Sequence, residues 1–321
     1  MAFAVNAGGN SSSEGKVNYD DLNNYVVETA GLEDRTTLVG IVSGIVDLGI
    51  QEQEDAEIKF DGDADAEAAE IEKFPSTYFK DGIDEQTKKP ARFKCFPQKA
   101  IQSVAVAVDF PDITVDKGQF YGESNPQPLR LWLGGQFFIQ GVGMVIGRPI
   151  PLKNDTSTGK WSFRKNHIFH KMAVAAKLIK ADEPFVSRDI DQLLGKAFQF
   201  DCQVYIKNGK YYTEYIKFNG GVARGQSIPE LPFDPFVIEF NGNLTPENML
   251  NLRNHVINTI KRANNYAGSK IQGFLEAAQE AKEQEQGERE APAKKVAPKL
   301  PVKPSKPVED EVDSESPFWY L

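Results

Sequence analysis

The sequence predicts a mainly β protein with flanking helices (α+β), built around a five-stranded Greek-key barrel. The prediction depends on three observations. A long β-branched run covers residues 36–50, an Asn208-Gly209 dipeptide lies between two strand-like segments, and a helical pattern falls between these two β regions. β-branched runs suit a pleated surface, and Asn-Gly is the strongest short hairpin signal.

The N-terminal leader, residues 1–34, is mixed and polar, and we expect it to be partly flexible with a short helix near Tyr19–Ala30. The run from Thr36 to Ile50 is the first strong strand signal. Its glycines permit bulges or a bend, and a strand this long usually curves, as strands of a barrel must.

An acidic insertion follows at about residues 51–73. Asp61, Asp63 and Asp65 stand at alternate positions, as at the start of a calcium-binding loop. The alanines around them and the missing central glycine spoil that pattern. We therefore expect a solvated acidic loop.

The order of the remaining elements defines the predicted core. Strands are predicted at residues 101–109, 129–133 and 137–148, followed by a helix with Asn166 as N-cap and an apolar stripe of Ile168, Met172, Ala175 and Ile179. A hairpin over residues 196–218 turns at Asn208-Gly209. The succession β-β-β-α-β-β is that of the Greek-key barrel of oligonucleotide-binding (OB) type, so residues 35–228 are predicted to form an OB-like core.

The C-terminal part divides into two predicted regions. Residues 229–280 contain a Pro-rich connector and a helix opened by Thr245-Pro246, whose apolar face we expect to pack on the barrel: Met249, Leu252, Val256 and Ile260. Residues 281–321 are rich in Glu, Gln, Lys, Ala and Pro, which predicts a disordered tail with an acidic and aromatic tip.

Charge is strongly partitioned along the chain. The formal net charge is −9, yet residues 88–224 carry 21 Lys/Arg against 11 Asp/Glu. The middle of the chain is therefore basic, and its two ends are acidic. A basic domain attracts polyanions, because its field is set by its own charges within a Debye length.

Several classes of protein are disfavoured by composition. Two cysteines, Cys95 and Cys202, give no disulfide framework and indicate a reducing cytoplasm. No segment resembles a membrane span or a signal sequence. His167 and His170 have the spacing of helical metal ligands but lack further ligands, and no phosphate loop or nucleophile motif occurs. We expect no metal, no cofactor and no enzymatic activity.

Two segments combine aromatic and basic residues. Gly159-Lys160-Trp161-Ser162-Phe163-Arg164-Lys165 alternates aromatic, polar and basic side chains. Aromatic rings stack on bases without reading sequence, and Lys or Arg neutralises phosphates. The alternative is that Trp161 and Phe163 belong to the core.

The hairpin is the second such segment. With a period of two, Tyr211, Thr213, Tyr215 and Lys217 share one face. Ile216 and Phe218 mark the opposite face as the core side, so Tyr211, Tyr215 and Lys217 are predicted to point outward. Half-buried packing of the tyrosines is the alternative. Arg130 and Arg148, at the ends of the central strands, are either phosphate contacts or solvated strand ends.

The chain resembles the single-stranded DNA-binding proteins of tailed bacteriophages. The resemblance depends on the segment Pro128-Leu-Arg-Leu-Trp-Leu-Gly-Gly135, on Gly159-Lys-Trp-Ser-Phe163, on the tyrosine hairpin, and on an acidic tail ending in Pro317-Phe-Trp-Tyr-Leu321. It covers about residues 101–224 and the last dozen residues. Tails of the cellular counterparts end in acids and Pro-Phe, whereas three more residues follow here.

The resemblance implies a function. Such proteins coat single-stranded DNA during phage DNA replication, recombination and repair in the host cytoplasm, and their tails recruit polymerase, helicase or primase, and nuclease. The predicted DNA-binding residues are Arg130, Trp132, Arg148, Lys160, Trp161, Phe163, Arg164, Lys165, Lys207, Lys210, Tyr211, Tyr215 and Lys217. The predicted partner-binding residues of the tail are Asp310, Glu311, Asp313, Glu315, Phe318, Trp319, Tyr320 and Leu321.

Two other functions stay open at this point. The chain is alternatively a virion or scaffold protein whose tail serves assembly, or a recombination mediator that anneals strands. The sequence also leaves a homo-oligomer open.

Overall fold

The computed structural model describes residues 17–153, 161–242, 244–246, 249 and 252–290. Fourteen strands lie within these ranges: β1 Thr36–Gln51, β2 Ala56–Phe60, β3 Tyr78–Ile83, β4 Pro90–Phe96, β5 Ile101–Val115, β6 Gln127–Trp132, β7 Gln136–Ile139, β8 Gly143–Ile146, β9 Ile150–Pro151, β10 Ser162–Phe163, β11 Phe185–Val186, β12 Ala197–Lys207, β13 Tyr211–Gly221 and β14 Phe236–Ile238. The α-helices are α1 Tyr19–Ala30, α2 Ala64–Lys73, α3 Ile168–Ala175, α4 Asn254–Ile260 and α5 Lys270–Glu290. Two 3₁₀ turns cover Lys117–Tyr121 and Ser187–Leu193.

The main sheet has the strand order β13-β12-β1-β5-β6, and each of these neighbours is antiparallel. β14 adds a parallel pair to β1, and β9 adds an antiparallel pair to β5. The mainly β class with flanking helices is thus confirmed. The predicted barrel is not closed, because no backbone ladder joins β6 to β13.

The chain leaves β6 before it can pair with β13. Gly134 and Gly135 have φ of 103° and 72°, a left-handed conformation that glycine adopts readily. A Cβ at Gly135 would lie 2.8 Å from the carbonyl oxygen of Glu214, so this turn passes close to β13. A side chain makes the link there: Gln136 Nε2 donates to Glu214 Oε2 at 2.7 Å.

The main sheet buries both of its faces. Along β5, Val104, Val106, Val108 and Phe110 enter a first core, which α1 and α3 also line. Ala105 and Ala107, on the opposite face of the same strand, enter a second core. Strands covered on both sides read as near-continuous apolar runs, which accounts for the composition of β1, β5 and β6.

The second core is built by the C-terminal part of the chain. Side chains from β14, from the residues just after it, from α4 and from the start of α5 pack against the outer face of β1, β5 and β6. They include Phe236, Ile238, Phe240, Val256, Ile260 and Ile271. The predicted packing of Met249, Leu252, Val256 and Ile260 on the core is confirmed, since all four are buried. Gly44 permits this approach, because a Cβ there would lie 2.2 Å from the ring of Phe236.

The helices that close the first core have clear start and stop signals. The side chain of Asn18 accepts from the amides of Asp20 and Asp21 at the start of α1, and Gly31 ends α1 with φ of 61°. The predicted range of α1 is confirmed. α3 begins after His167 rather than Asn166, because His167 accepts from the amide of Phe169. α3 also ends at Ala175, so Ile179 lies beyond it.

The prediction of an acidic loop over residues 51–73 was wrong. This stretch contains β2 and α2, and it belongs to a larger inserted unit in which β2, β4 and β3 form a three-stranded antiparallel sheet. Asp63 caps α2 by accepting from the amide of Ala66. Ion pairs fix α2 on the sheet: Glu67 pairs with Arg92, and Glu70 with Lys94.

The chain divides into two units, residues 1–277 and 278–321. The described part of the second unit, residues 278–290, is the C-terminal part of α5. Residues 281–290, predicted to be disordered tail, are therefore helical. The rest of the predicted tail, including its acidic and aromatic tip, lies outside the described residues. Within the described ranges, no helix has the length and apolarity to cross a membrane.

Candidate nucleic-acid interface

The outward face of the β12–β13 hairpin carries a cluster of aromatic and basic side chains. We call it the hairpin platform; its residues are Arg35, Tyr205, Lys207, Lys210, Tyr211, Tyr215 and Lys217. Tyr211 is 55% exposed, and the four basic residues are exposed as well. Tyr205 and Tyr215 are half-buried.

Strand register produces this face. Lys207 lies opposite Tyr211, Tyr205 opposite Thr213, and Gln203 opposite Tyr215, so the outward side chains of the two strands stand side by side. The turn between them has φ of 55° at Asn208 and 64° at Gly209, as a two-residue hairpin loop requires. The predicted Asn-Gly hairpin is confirmed.

The alternation predicted for β13 is also confirmed. Tyr212, Ile216 and Phe218 pack in or against the first core, while Tyr211 and Lys217 are exposed. The inward position between them is held by Glu214, which is buried. Its carboxylate accepts from Tyr212 Oη at 2.8 Å and from Gln136 Nε2. Burial raises the pKa of Glu214, and the nearby Lys117 ammonium partly opposes that rise.

Two cations of the platform lie over aromatic rings. The Arg35 guanidinium carbon is 4.2 Å from the ring centroid of Tyr215, and the Lys210 ammonium is 5.6 Å from that of Tyr211. Such pairs hold a flat ring and a positive charge in one place. A base stacking on the ring would find a phosphate-binding group beside it.

The basic groups of the platform are not neutralised by acids. None of Arg35, Lys207, Lys210 or Lys217 forms an ion pair with another described residue. Asp201, which lies opposite Lys217, accepts from Thr37 Oγ1 at 2.6 Å and from Asn219 Nδ2 at 2.9 Å. Uncompensated positive charge on one face attracts a polyanion.

Three predicted DNA-binding residues lie largely in the interior, and the assignment of the two aromatic ones was wrong. Trp132 is 1% exposed in the second core, where its ring lies edge-on to His255 at 5.5 Å. Phe163 is 2% exposed and packs against Phe169 and Phe185. Neither ring is accessible to a base.

Arg130 is the third of these residues. Its guanidinium binds the buried carboxylate of Asp109 through both Nε and Nη2, at 3.0 and 2.9 Å. The same group lies 5.3 Å from the ring of Phe233 and 5.2 Å from that of Phe236. The guanidinium of Arg130 is thus paired with Asp109 beneath the C-terminal layer, our name for β14, α4 and the start of α5. It does not face solvent as a phosphate-binding group would.

The remaining predicted residues are exposed but lie elsewhere on the surface. Trp161, at 69% exposure, is held by its backbone: its carbonyl oxygen accepts from the Ser187 amide at 2.9 Å. Arg164 and Lys165 follow on the segment that leads into α3, and Arg148 follows β8; all three are exposed. Lys160 and the predicted tail residues lie outside the described residues.

The histidines near α3 are engaged with backbone oxygens. His167 Nε2 is 3.0 Å from the carbonyl oxygen of Pro151, and His170 Nε2 is 3.0 Å from that of Glu183. In the described part of the chain, no three His, Cys, Asp or Glu side chains gather as a metal site requires. Both cysteines are buried and free, and burial raises the pKa of Cys202 to about 12.

Sequence reasoning missed Arg35. It precedes β1, and its side chain reaches Tyr215 across β12, which only the β1–β12 and β12–β13 registers bring together. The only indication in the sequence was that Arg35 is a charged residue directly before a strong strand. Comparison of the chain with protein-family models, with curated proteins and with solved structures gave no match.

Proposed function

We propose that this chain binds single-stranded DNA without strict sequence preference, and that the hairpin platform is its binding surface. The observation that carries the proposal is the pairing of cations with outward tyrosines on one sheet face: Arg35 with Tyr215, and Lys210 with Tyr211. Bases stack on aromatic rings whatever their identity, and each stacked base contributes about 1–3 kcal/mol. The neighbouring ammonium groups then neutralise phosphates.

The strand order supports an OB-like core with one open seam. The order β13-β12-β1-β5-β6 is fifth, fourth, first, second and third strand when the five strands of this sheet path are counted along the chain. In a Greek-key barrel of this type, the third and fifth strands meet to close the barrel. Here β6 and β13 run parallel on either side of the seam that Gln136 and Glu214 bridge.

That correspondence agrees with the position of the platform. Barrels of this type bind oligonucleotides on the face of strands two and three and on the loops after strands one and four. The loop after strand four corresponds to the Asn208-Gly209 turn. The outer face of strands two and three, β5 and β6, is covered here by the second core. Binding is therefore expected on the hairpin rather than on that face.

The biological setting is part of the same proposal. Coating of unwound template during bacteriophage DNA replication, recombination and repair fits a sequence-tolerant binder. The acidic and aromatic tip of residues 309–321 is proposed to recruit replication proteins, since Phe and Trp side chains anchor well in a partner's pocket rimmed by basic residues.

The experiment is a titration of fluorescent oligo-dT with the full chain at two salt concentrations. Tyr211→Ala is expected to weaken binding by about 1–3 kcal/mol, or roughly 5- to 150-fold, through loss of one stacked base. Lys207→Gln is expected to reduce the salt slope by about 0.7, as removal of one phosphate contact on a single strand does. Tyr19→Ala is the matched control, because Tyr19 is 61% exposed on α1 and not on the platform.

The outcomes separate the alternatives. No binding at low salt refutes the proposal and leaves the virion or scaffold function. Equal loss for Tyr211→Ala and Tyr19→Ala would mean that the platform has no special part. Faster annealing of complementary strands by the wild-type chain, with binding retained, would favour the recombination mediator.

A further inference from the structure

A groove lies between α3 and the edge strand β13, on the face of the sheet opposite to the hairpin platform. The groove measures about 400 Å³ and is lined by Lys165, His170, Lys171, Val174, Ala175, Ala181, Phe218 and Gly220. We call it the α3 groove. Its volume lies at the lower end of the range of about 300–1,000 Å³ that small-molecule sites occupy.

The lining combines two kinds of group. One wall carries the exposed ammonium groups of Lys165 and Lys171, and the rest is apolar, with the half-buried ring of Phe218 among the lining residues. His170 also lines the groove but is only 3% exposed, and its Nε2 is engaged with the carbonyl oxygen of Glu183. A bare inorganic anion would gain nothing from the apolar lining. A nucleotide has a flat base and a phosphate, and it matches both parts.

The two lysines have no acidic partner. Neither Lys165 nor Lys171 forms an ion pair with a described residue. Glu183, in the loop after α3, pairs with Lys180. Their charge is therefore available to a ligand from outside.

Strand β13 joins the groove to the platform. Lys217 points to the platform face, and the next residue, Phe218, points to the opposite face and lines the groove. Because β13 is the last strand of the sheet, DNA can pass from one face to the other over its edge. At about 3.3 Å per residue, the distance from Tyr211 to Gly220 is roughly 30 Å. That length exceeds what one stacked base occupies. Lys210 stands directly before β13 and Lys217 near its end.

We propose that the α3 groove is a second binding station for the same single strand of DNA, which follows β13 from the hairpin platform to α3. The inference depends on the proposed function. At the groove a base lies against Phe218 and the apolar side of α3, while Lys165 and Lys171 neutralise its phosphates. A long strand occupies both stations, and a short strand occupies the platform alone.

The test uses the full chain and two lengths of fluorescent oligo-dT, of about 4 and about 16 nucleotides, the extremes of site size for barrels of this type. The variant is Lys165→Glu with Lys171→Glu. The control is Lys177→Glu, a charge reversal just after α3 at an exposed residue outside the groove. Far-UV circular dichroism and thermal melting verify the fold of each variant.

We expect the double variant to bind the long strand about tenfold more weakly at physiological salt, with its salt slope reduced by about 1.4 for two lost phosphate contacts. Its affinity for the short strand and the affinities of Lys177→Glu should match the wild type. Unchanged binding of the long strand by the double variant would overturn the inference. Equal loss for both lengths would also overturn it, because the lysines would then act from a distance or on the platform itself. If the wild-type chain binds neither length, the proposed function fails first.

Discussion

Replacement of Arg130 by Met tests whether this residue is structural or a DNA contact. In the structure its guanidinium forms a bidentate salt bridge with Asp109, whose side chain is 1% exposed. The arginine side chain is itself only 13% exposed. Met keeps most of the aliphatic stem but removes the charge that lies over the rings of Phe233 and Phe236. The buried carboxylate is then left without its partner.

The expected cost follows from that geometry. Removal of one member of a buried pair costs about 3–5 kcal/mol, because the other charge stays desolvated. Loss of the cation above two aromatic rings adds about 0.5–1 kcal/mol for each ring. Arg253 also attracts Asp109 electrostatically but forms no ion pair with it, so it offsets part of the loss. We expect a net loss of about 3–5 kcal/mol in the free energy of unfolding.

Equilibrium urea denaturation measures this change, and the double variant Arg130→Met with Asp109→Leu is the control. Replacement of a buried pair by apolar residues is often neutral, so the double variant should recover most of the stability. Folded Arg130→Met protein should bind oligo-dT with the wild-type salt slope. A loss of stability below about 1 kcal/mol, together with a salt slope lowered by about 0.7, would refute this reasoning and restore Arg130 as a phosphate contact.

Two further predictions concern buried and exposed side chains. Trp132→Ala should lower the free energy of unfolding by about 3–5 kcal/mol, whereas Trp161→Ala should change it by less than about 0.5 kcal/mol; urea denaturation of the two variants side by side checks this contrast. The wild-type chain should lose stability as the pH rises above about 4.5, the ordinary pKa of a glutamate, because burial raises the pKa of Glu214 in the folded state and favours its protonated form. Glu214→Gln, which stays neutral, should lose less over the same interval; an unchanged pH profile of the melting temperature would contradict the assignment.

Local chemistry predicted the hairpin and α1 well. The Asn208-Gly209 turn needs positive φ at both residues, and few other dipeptides supply it at low cost. Once the turn is placed, the period of two decides which tyrosines of β13 point outward. Both inferences use residues close together in sequence.

The misassigned aromatic residues depend on distant parts of the chain. Trp132 is buried because the segment around α4, more than a hundred residues later, covers the outer face of β6. Phe163 is buried because β11 pairs with β10. The sequence did indicate that β6 is covered. Leu129 and Leu131 lie on one face of this strand and Trp132 on the other, and apolar residues on both faces are typical of a strand covered on both sides.

The acidic insertion shows how composition can mislead. Its aspartates and glutamates predicted a solvated loop, yet the alanines at positions 64, 66, 68 and 69 are strong helix formers, and Asp63 is a good N-cap. The acids of α2 find their partners, Arg92 and Lys94, on β4. Only the pairing of β2 with β4 reveals those partners, and it joins residues more than thirty positions apart.

The C-terminal layer connects the fold to the proposed interface. It buries the outer face of β5 and β6, and Arg130, which the sequence predicted as a DNA contact, lies under it. The surface on which an OB-like barrel would ordinarily bind is therefore covered. The layer does not extend over β12 and β13, whose outward side chains keep unpaired cations next to tyrosines. A binder of single strands built on this sheet must therefore use the hairpin. If the platform variants bind oligo-dT as well as the wild type does, the hairpin platform is not the binding surface.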